Sequence, residues 1–280
     1  MTTPDGPAMP GAPPAQPGAL WVLDLDGVVW LAGTPIGPVG QAIDHLRSRR
    51  VDVVFATNNS APTAAELVTR LERAGVPASA GEIVSSAQAV ATMLAPGSTV
   101  IVAADAGVVE ALEATGALVV DDGPADAVVV GWTRRFDFDL VARAAAAIRN
   151  GARFLATNMD PTHPTPDGLL PGTGALVAAV ATAASATPEV AGKPNPPMVS
   201  LLATRLAGLE PGSPAVVVGD QMATDGALAA ALGVPFALVA SGVGGGHVGP
   251  GDDVPVAWRA ADLVSLVAAA TVRDAESTEE

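Results

Sequence analysis

Short, unbroken apolar runs punctuate this chain, and each stops abruptly at polar residues or a glycine. Leu20-Trp21-Val22-Leu23 runs into Asp24-Leu25-Asp26-Gly27, Val51-Asp52-Val53-Val54-Phe55-Ala56 into Thr57-Asn58-Asn59-Ser60, and Ala215-Val216-Val217-Val218 into Gly219-Asp220. Runs this short, rich in Val and Leu, suit strands buried on both faces, as in a parallel sheet flanked by helices. Helical spacing fills the intervals. Val39 to Arg49 puts Val39, Ile43 and Leu46 on one face, and Thr63-x-x-Glu66 after Pro62 is a capping box for a helix to about Ala74. Further helices are expected at about 83–94, 106–114, 139–150, 173–186, to 207, to 232 and 257–269. Further strands are expected at 99–103, 118–120, 127–131, 153–157 and 236–240. Strands alternating with helices predict an α/β fold with a doubly wound, Rossmann-like parallel sheet.

The pattern restarts near residue 97, and Pro188 marks a return. The expected division is a core of 19–96 and 188–273 interrupted by a separate α/β unit of 97–187. Residues 1–18, rich in Pro, Gly and Ala, and the acidic end 274–280 are expected to be disordered. The stretch from Asn158 to Gly172, dense in Pro and Asp, is expected to be a loop.

Composition narrows the function classes. Of 280 residues, 49% are hydrophobic and 3% aromatic, ample for a packed core. A net charge of −15 offers no basic face for nucleic acid and no attraction to anionic membranes. The chain has no Cys, which excludes disulfides, thiolate metal sites and a Cys nucleophile. No charged-then-apolar leader pattern opens it, and no apolar stretch is long enough to span a bilayer, so a cytoplasmic protein is expected.

The strand ends carry the chemistry. Asp24 and Asp26 alternate onto one side of a strand as it frays, and two such carboxylates resist ionising together unless a cation joins them or one keeps its proton. Taken alone, the stretch is equally a strand-end Asp followed by a D-x-D-G turn. Thr57-Asn58-Asn59, Gly219-Asp220 with Thr224 and Asp225, and a Lys193 held between Gly192 and Pro194 complete the set. Carboxylates for a hard metal, a hydroxyl with amides, and one cation together fit phosphoryl transfer. Gly244-x-Gly246-x-x-Gly249 spells a dinucleotide fingerprint, but Pro250-Gly251-Asp252-Asp253 follows where a helix would be needed, so it is expected to be a loop.

In this order the motifs resemble those of the haloacid dehalogenase superfamily of phosphatases. Asp24-Leu25-Asp26-Gly27-Val28 is similar to the first motif, Thr57-Asn58 to the second, Lys193 to the third, and Gly219-Asp220-x-x-x-Thr224-Asp225 to the fourth. Within it the chain is most similar to the branch with a large α/β cap, which holds the 4-nitrophenyl phosphatase, phosphoglycolate, pyridoxal phosphate and glycerol 3-phosphate phosphatases. Ser85-Ser86-Ala87-Gln88, Ala156-Thr157-Asn158-x-Asp160, Gly168 to Gly174 and Gly192-Lys193-Pro194 carry that closer likeness. The resemblance implies that 97–187 is the cap.

It also implies roles. Asp24 is the nucleophile and Asp26 the general acid and base. Mg²⁺ is held by Asp24, the Asp26 backbone carbonyl and Asp220, with Asp225 and Thr224 behind them. Thr57, Asn58, Asn59 and Lys193 hold the phosphate, while Asn158, Asp160 and His163 of the cap loop discriminate substrates. The implied partner is a small phosphorylated metabolite, with a homodimer through the cap as in relatives. Glycerol 3-phosphate or a similar sugar or three-carbon phosphate leads. The alternatives are phosphoglycolate, pyridoxal phosphate or a nucleotide monophosphate as substrate, a phosphotransferase, or a metabolite-binding regulator with little turnover.

Overall fold

The computed structural model of the chain describes residues 11–242 and 253–271. Residues 1–10 of the expected N-terminal tail, the glycine loop 244–249 and the acidic end 274–280 lie outside the described residues. The chain divides into two units: one takes in the residues up to Ala56, Arg70–Glu82 and those from Leu202 onward, the other Thr57–Thr69 and Ile83–Leu201. The expected 97–187 insert lies within the second unit, which also includes 57–69, 83–96 and 188–201.

In the first unit the strand Leu20–Leu23 is central. It pairs in parallel with Ala215–Gly219 on one side and Asp52–Thr57 on the other, with Leu23 opposite both Val218 and Phe55. Beyond Ala215–Gly219 come Phe236–Val239 and then Val256–Ala260, again parallel. All four residues of Leu20–Leu23 are buried, with Trp21 wholly so, as a strand covered on both faces requires. Each such side chain removed from water stabilises by about 1.5–3 kcal/mol. The helix Val39–Ser48 turns Val39, Ala42, Ile43 and Leu46 inward, the face its spacing predicts, and meets the helix Leu263–Thr271.

Residues 11–18 correct the expectation of a disordered tail. Trp21 Nε1 donates to the Pro14 carbonyl at 2.6 Å, Arg49 Nε to Ala15 O at 3.2 Å, and Trp258 Nε1 to Gly11 O at 3.0 Å. A Pro-rich segment that cannot build its own core is held here by donors that the first unit supplies. A second correction concerns 257–269. It is a strand, Val256–Ala260, followed by the helix Leu263–Thr271, because pairing with Phe236–Val239 outweighs the helical propensity of its alanines.

The second unit holds a parallel sheet in the order Glu189–Val190, Arg153–Ala156, Ala127–Val130, Thr99–Ala103, Leu118–Val120. Its core gathers Ile101, Val128, Val130, Ile148, Phe154, Val177 and Val180 with many alanines. The helices Phe138–Arg149 and Thr173–Ala184 approach through Ala-rich faces. Two expectations fail here as well. The helix expected from 83 is a short strand, Ile83–Ser85, and then the helix Ser86–Ala91. Ser85 Oγ accepts from Gln88 N while Gln88 Oε1 accepts from Ser85 N, so this capping box fixes the start at Ser86. The stretch 158–172 is not loop throughout, because Thr162–Thr165 and Gly168–Pro171 form an antiparallel hairpin. Among the described residues no helix is long and apolar enough to cross a membrane.

One sheet connection carries a pH signature. Asp126 Oδ2 accepts from the Thr99 amide at 2.7 Å and from its hydroxyl at 2.8 Å. The amide first, and the hydroxyl after it, hold the carboxyl below its ordinary value of 3.8. A carboxyl depressed in the folded state stabilises above its unfolded pKa and loses that contribution as pH falls through the folded pKa. The melting temperature, followed by circular dichroism from pH 7 to pH 3, should therefore fall less steeply for Asp126→Asn than for the parent chain.

Candidate active site

Parallel register delivers the first group of residues. Leu20–Leu23 and Ala215–Gly219 are neighbours, and Asp24 and Asp220 are the next residue of each, at the carboxyl ends where open α/β sheets bind ligands. The Asp24 amide still donates to Val218 O at 2.9 Å, so the backbone is held in sheet geometry up to the first carboxylate. Asp225 comes from the widened turn Met222–Gly226 that leads into the helix Ala227–Leu232, a departure from the single helix expected to Leu232. Asp24, Asp220 and Asp225 are all buried, and one carboxylate oxygen from each lies within 4.8 Å of the others. Asp220 is only 1% exposed.

Three carboxylates buried at this spacing repel one another, and each loses hydration. A divalent cation resolves both costs, and an all-oxygen donor set suits a hard ion such as Mg²⁺ rather than a thiophilic one. The residues present therefore fit the metal that the sequence implies.

Surrounding contacts aim these groups. Asp24 Oδ1 accepts from the Leu25 amide at 2.8 Å. Gly27 has φ of +91°, and a Cβ there would sit 2.6 Å from Asp220 Cγ, so only glycine lets the two approach. Ser241 Oγ donates to Gly27 O at 2.6 Å and fixes the same turn from a third strand end. Asp26 is half-buried. Its carboxylate is not one of the clustered three, and its Oδ1 accepts from Trp30 Nε1 at 3.1 Å. Thr224 is half-buried within the turn that carries Asp225.

The second unit places another group around Asn58. Asn58 Oδ1 accepts from Lys193 N at 2.8 Å, and Asn58 Nδ2 donates to Lys193 O at 3.4 Å and Asp160 Oδ2 at 3.3 Å. Asn58 O accepts from Ser86 Oγ and from Asn158 Nδ2, both at 2.7 Å. Lys193 is 5% exposed, and Gly192 before it leaves no room for a side chain, since a Cβ would meet Asn58 Oδ1 and Thr157 O, each at 2.5 Å. Thr57 is buried, with Oγ1 accepting from Asn59 N at 3.0 Å, and Asn59 Oδ1 accepts from Ala61 N at 3.2 Å. The Asn59 side chain thus shapes its own turn.

Within this unit the structure brings Asn58, Asn158, Asp160 and Lys193 together. His163 lies on the hairpin, its ring 4.8 Å from that of Trp132. Trp132 in turn donates to Pro171 O at 3.0 Å. Sequence reasoning missed three contributors: Ser241, Ser86 in its link to Asn58, and Trp132. A Ser-Gly pair just past an apolar run was the available signal for Ser241, while the other two depend on long-range pairing that no local pattern reports.

Comparison with known proteins agrees with this geometry. A sequence model of haloacid dehalogenase-like hydrolases matches residues 21–117, and a related HAD-hydrolase-like model matches 190–264. The chain is 38% identical over 229 residues to a D-glycerol 3-phosphate phosphatase of Mycobacterium tuberculosis, a match covering 79% of this chain and 63% of that one. It thus spans somewhat less than two thirds of that relative's length. It is 34% identical over 208 residues to an acid sugar phosphatase of Staphylococcus saprophyticus, covering 73% of this chain and 80% of the relative. Among solved structures, the glycerol phosphate phosphatase of M. tuberculosis in complex with magnesium superposes with a TM-score of 0.78 at 34% identity, covering 88% of this chain and 75% of that one. With its parallel sheets and its carboxylates at adjacent strand ends, the chain belongs to the haloacid dehalogenase-like hydrolase family.

Proposed function

We propose that the chain is a Mg²⁺-dependent phosphatase that hydrolyses a small phosphomonoester, with glycerol 3-phosphate or a related three-carbon or sugar phosphate as substrate. The observation that carries the reading is the buried group Asp24, Asp220 and Asp225 at the ends of neighbouring parallel strands. The relatives' names, a D-glycerol 3-phosphate phosphatase and an acid sugar phosphatase, support the choice of substrate class. The reading places the enzyme in the cytoplasm, with a phosphorylated metabolite and no nucleic acid as partner.

Asp24 is the nucleophile. Its carboxylate oxygen bonds to phosphorus as the ester P–O bond breaks, giving an aspartyl-phosphate, and Asp26 gives its proton to the departing alkoxide. Water then attacks the phosphorus, Asp26 takes the proton back, and inorganic phosphate leaves with the Asp24 carboxylate restored. The half-buried position of Asp26 suits this shuttle, because its carboxyl must meet the leaving group and then water. The indole N–H of Trp30 keeps it oriented. Asp24, the Asp26 carbonyl and Asp220 would hold Mg²⁺, with Asp225 behind them. When bound, the ion neutralises the charge that builds up as one anion approaches another. Thr57, Asn58 and Lys193 keep the phosphate-holding roles implied by the family's motifs.

Three measurements test this. Asp24→Asn should reduce phosphate release from 4-nitrophenyl phosphate to the buffer rate, and undiminished release would refute the nucleophile. Asp26→Asn should lower kcat by about 10²–10⁴-fold, the range for a lost general acid. Mg²⁺ in hundredfold excess over its Kd should stabilise the parent chain by about 2.7 kcal/mol, seen as a raised Tm, and the rise should be largely lost in Asp220→Asn.

A further inference from the structure

From the hydrogen bonds that converge on Asn58 we infer that Asn158 and Asp160 are positioning residues for Lys193, and that they do not select the substrate. The inference rests on the phosphatase reading for its kinetic consequence and on geometry alone for its structural one.

Both amide donors of Asn58, its Oδ1 and its backbone carbonyl are engaged by protein groups. Its side chain bridges both backbone groups of Lys193, the N–H at 2.8 Å and the carbonyl at 3.4 Å. That bridge holds the peptide of Lys193 as a strand partner would, although no strand runs there. A primary amide has two faces, and a rotation about its terminal bond exchanges donor for acceptor. Asp160 Oδ2 can only accept when ionised, so it selects the orientation in which Nδ2 faces Asp160 and Oδ1 faces Lys193 N. Asn158 fixes the same residue from its backbone side, donating to Asn58 O alongside Ser86 Oγ. Asn158 Oδ1 also accepts from Asp160 N at 3.1 Å, so the two are braced against each other. Asn158 is 3% exposed, and its side-chain amide is committed on both sides to protein groups. That leaves little for a substrate to read.

The hairpin is tied into the same network. Gly174 N donates to Asp160 O and Gly172 N to Pro161 O, both at 2.9 Å. The base of the Thr162–Pro171 hairpin and the Lys193 peptide are therefore joined through the side chains of Asp160 and Asn58. Discrimination among substrates then falls to groups other than Asn158 and Asp160.

The test compares the parent with Asn158→Ala, Asp160→Ala and Asp160→Asn, using 4-nitrophenyl phosphate, glycerol 3-phosphate and a hexose phosphate. Each alanine variant should lose about fivefold in kcat/KM, the worth of one ordinary hydrogen bond, by the same factor on every ester. Asp160→Asn, which keeps an acceptor for Asn58 Nδ2, should recover most of that loss. Amide hydrogen exchange at Lys193 should quicken by about fivefold in the alanine variants. A changed ranking among the esters with Lys193 exchange unaltered would make these residues substrate contacts and overturn the inference. So would alanine variants with parent-like exchange and parent-like activity. If the parent itself released no phosphate from any ester, the phosphatase reading would fail, while the exchange measurement would still decide the positioning role.

Discussion

Burying like charges side by side is the constraint that governs the first unit. Asp24 and Asp220 follow adjacent strands one residue out of step, because Leu23 is paired with Val218 and Asp24 therefore falls beside Gly219, just before Asp220. Parallel pairing thus forces together two groups that electrostatics would keep apart. A Born-type penalty for each ion, added to their repulsion, makes such a cluster unfavourable without compensation. The site is accordingly a place where stability is given up locally, and a bound cation returns it when the enzyme is loaded.

The strength of the scaffold makes that concession possible. Leu20–Leu23 has neighbours on both edges, and Trp21, Leu23 and Leu25 are wholly buried. The backbone of Asp24 cannot relax away from Asp220 without breaking its bond to Val218 O. Rigid strands hold the carboxylates, while the turns after them supply Asp26, Ser241 and Asp225. The division matches the chemistry: a nucleophile must be fixed, but a proton shuttle needs access to water.

Legibility in the sequence followed the range of the interaction. Strand ends were readable because a buried strand declares itself as a run of Val and Leu, and its polar terminus follows directly. Asp24, Asp26, Thr57, Asn58 and Asp220 were visible as candidates for that reason alone. The segments that misled are those settled by distant partners. Ile83-Val84-Ser85 has helical company in sequence, but it is a strand, and Ser85 is the cap of the helix that starts after it. Val256–Ala260 looks helical until Phe236–Val239 is there to pair with it. Residues 11–17 lack any periodicity, yet Trp21 and Trp258 hold the carbonyls of Pro14 and Gly11. The roles of Asn158 and Asp160 belong to the same class: they are read from bonds to Asn58, 100 and 102 residues away.

The two units meet the problem of placing a reactive group by different means, and the difference follows from charge. In the first, the groups to be fixed are anions, and amides, hydroxyls and a close glycine contact aim them. In the second, the group is the peptide of Lys193, and a neutral amide does the holding. An Asn side chain offers two donors and two acceptor lone pairs without the desolvation cost of an ion. Buried beside Lys193, an Asp in place of Asn58 could accept from Lys193 N but could not donate to Lys193 O or to Asp160. It would also set two carboxylates within contact. Asn58 satisfies both peptide groups and an acidic neighbour at once, so the chemistry of the position calls for an amide.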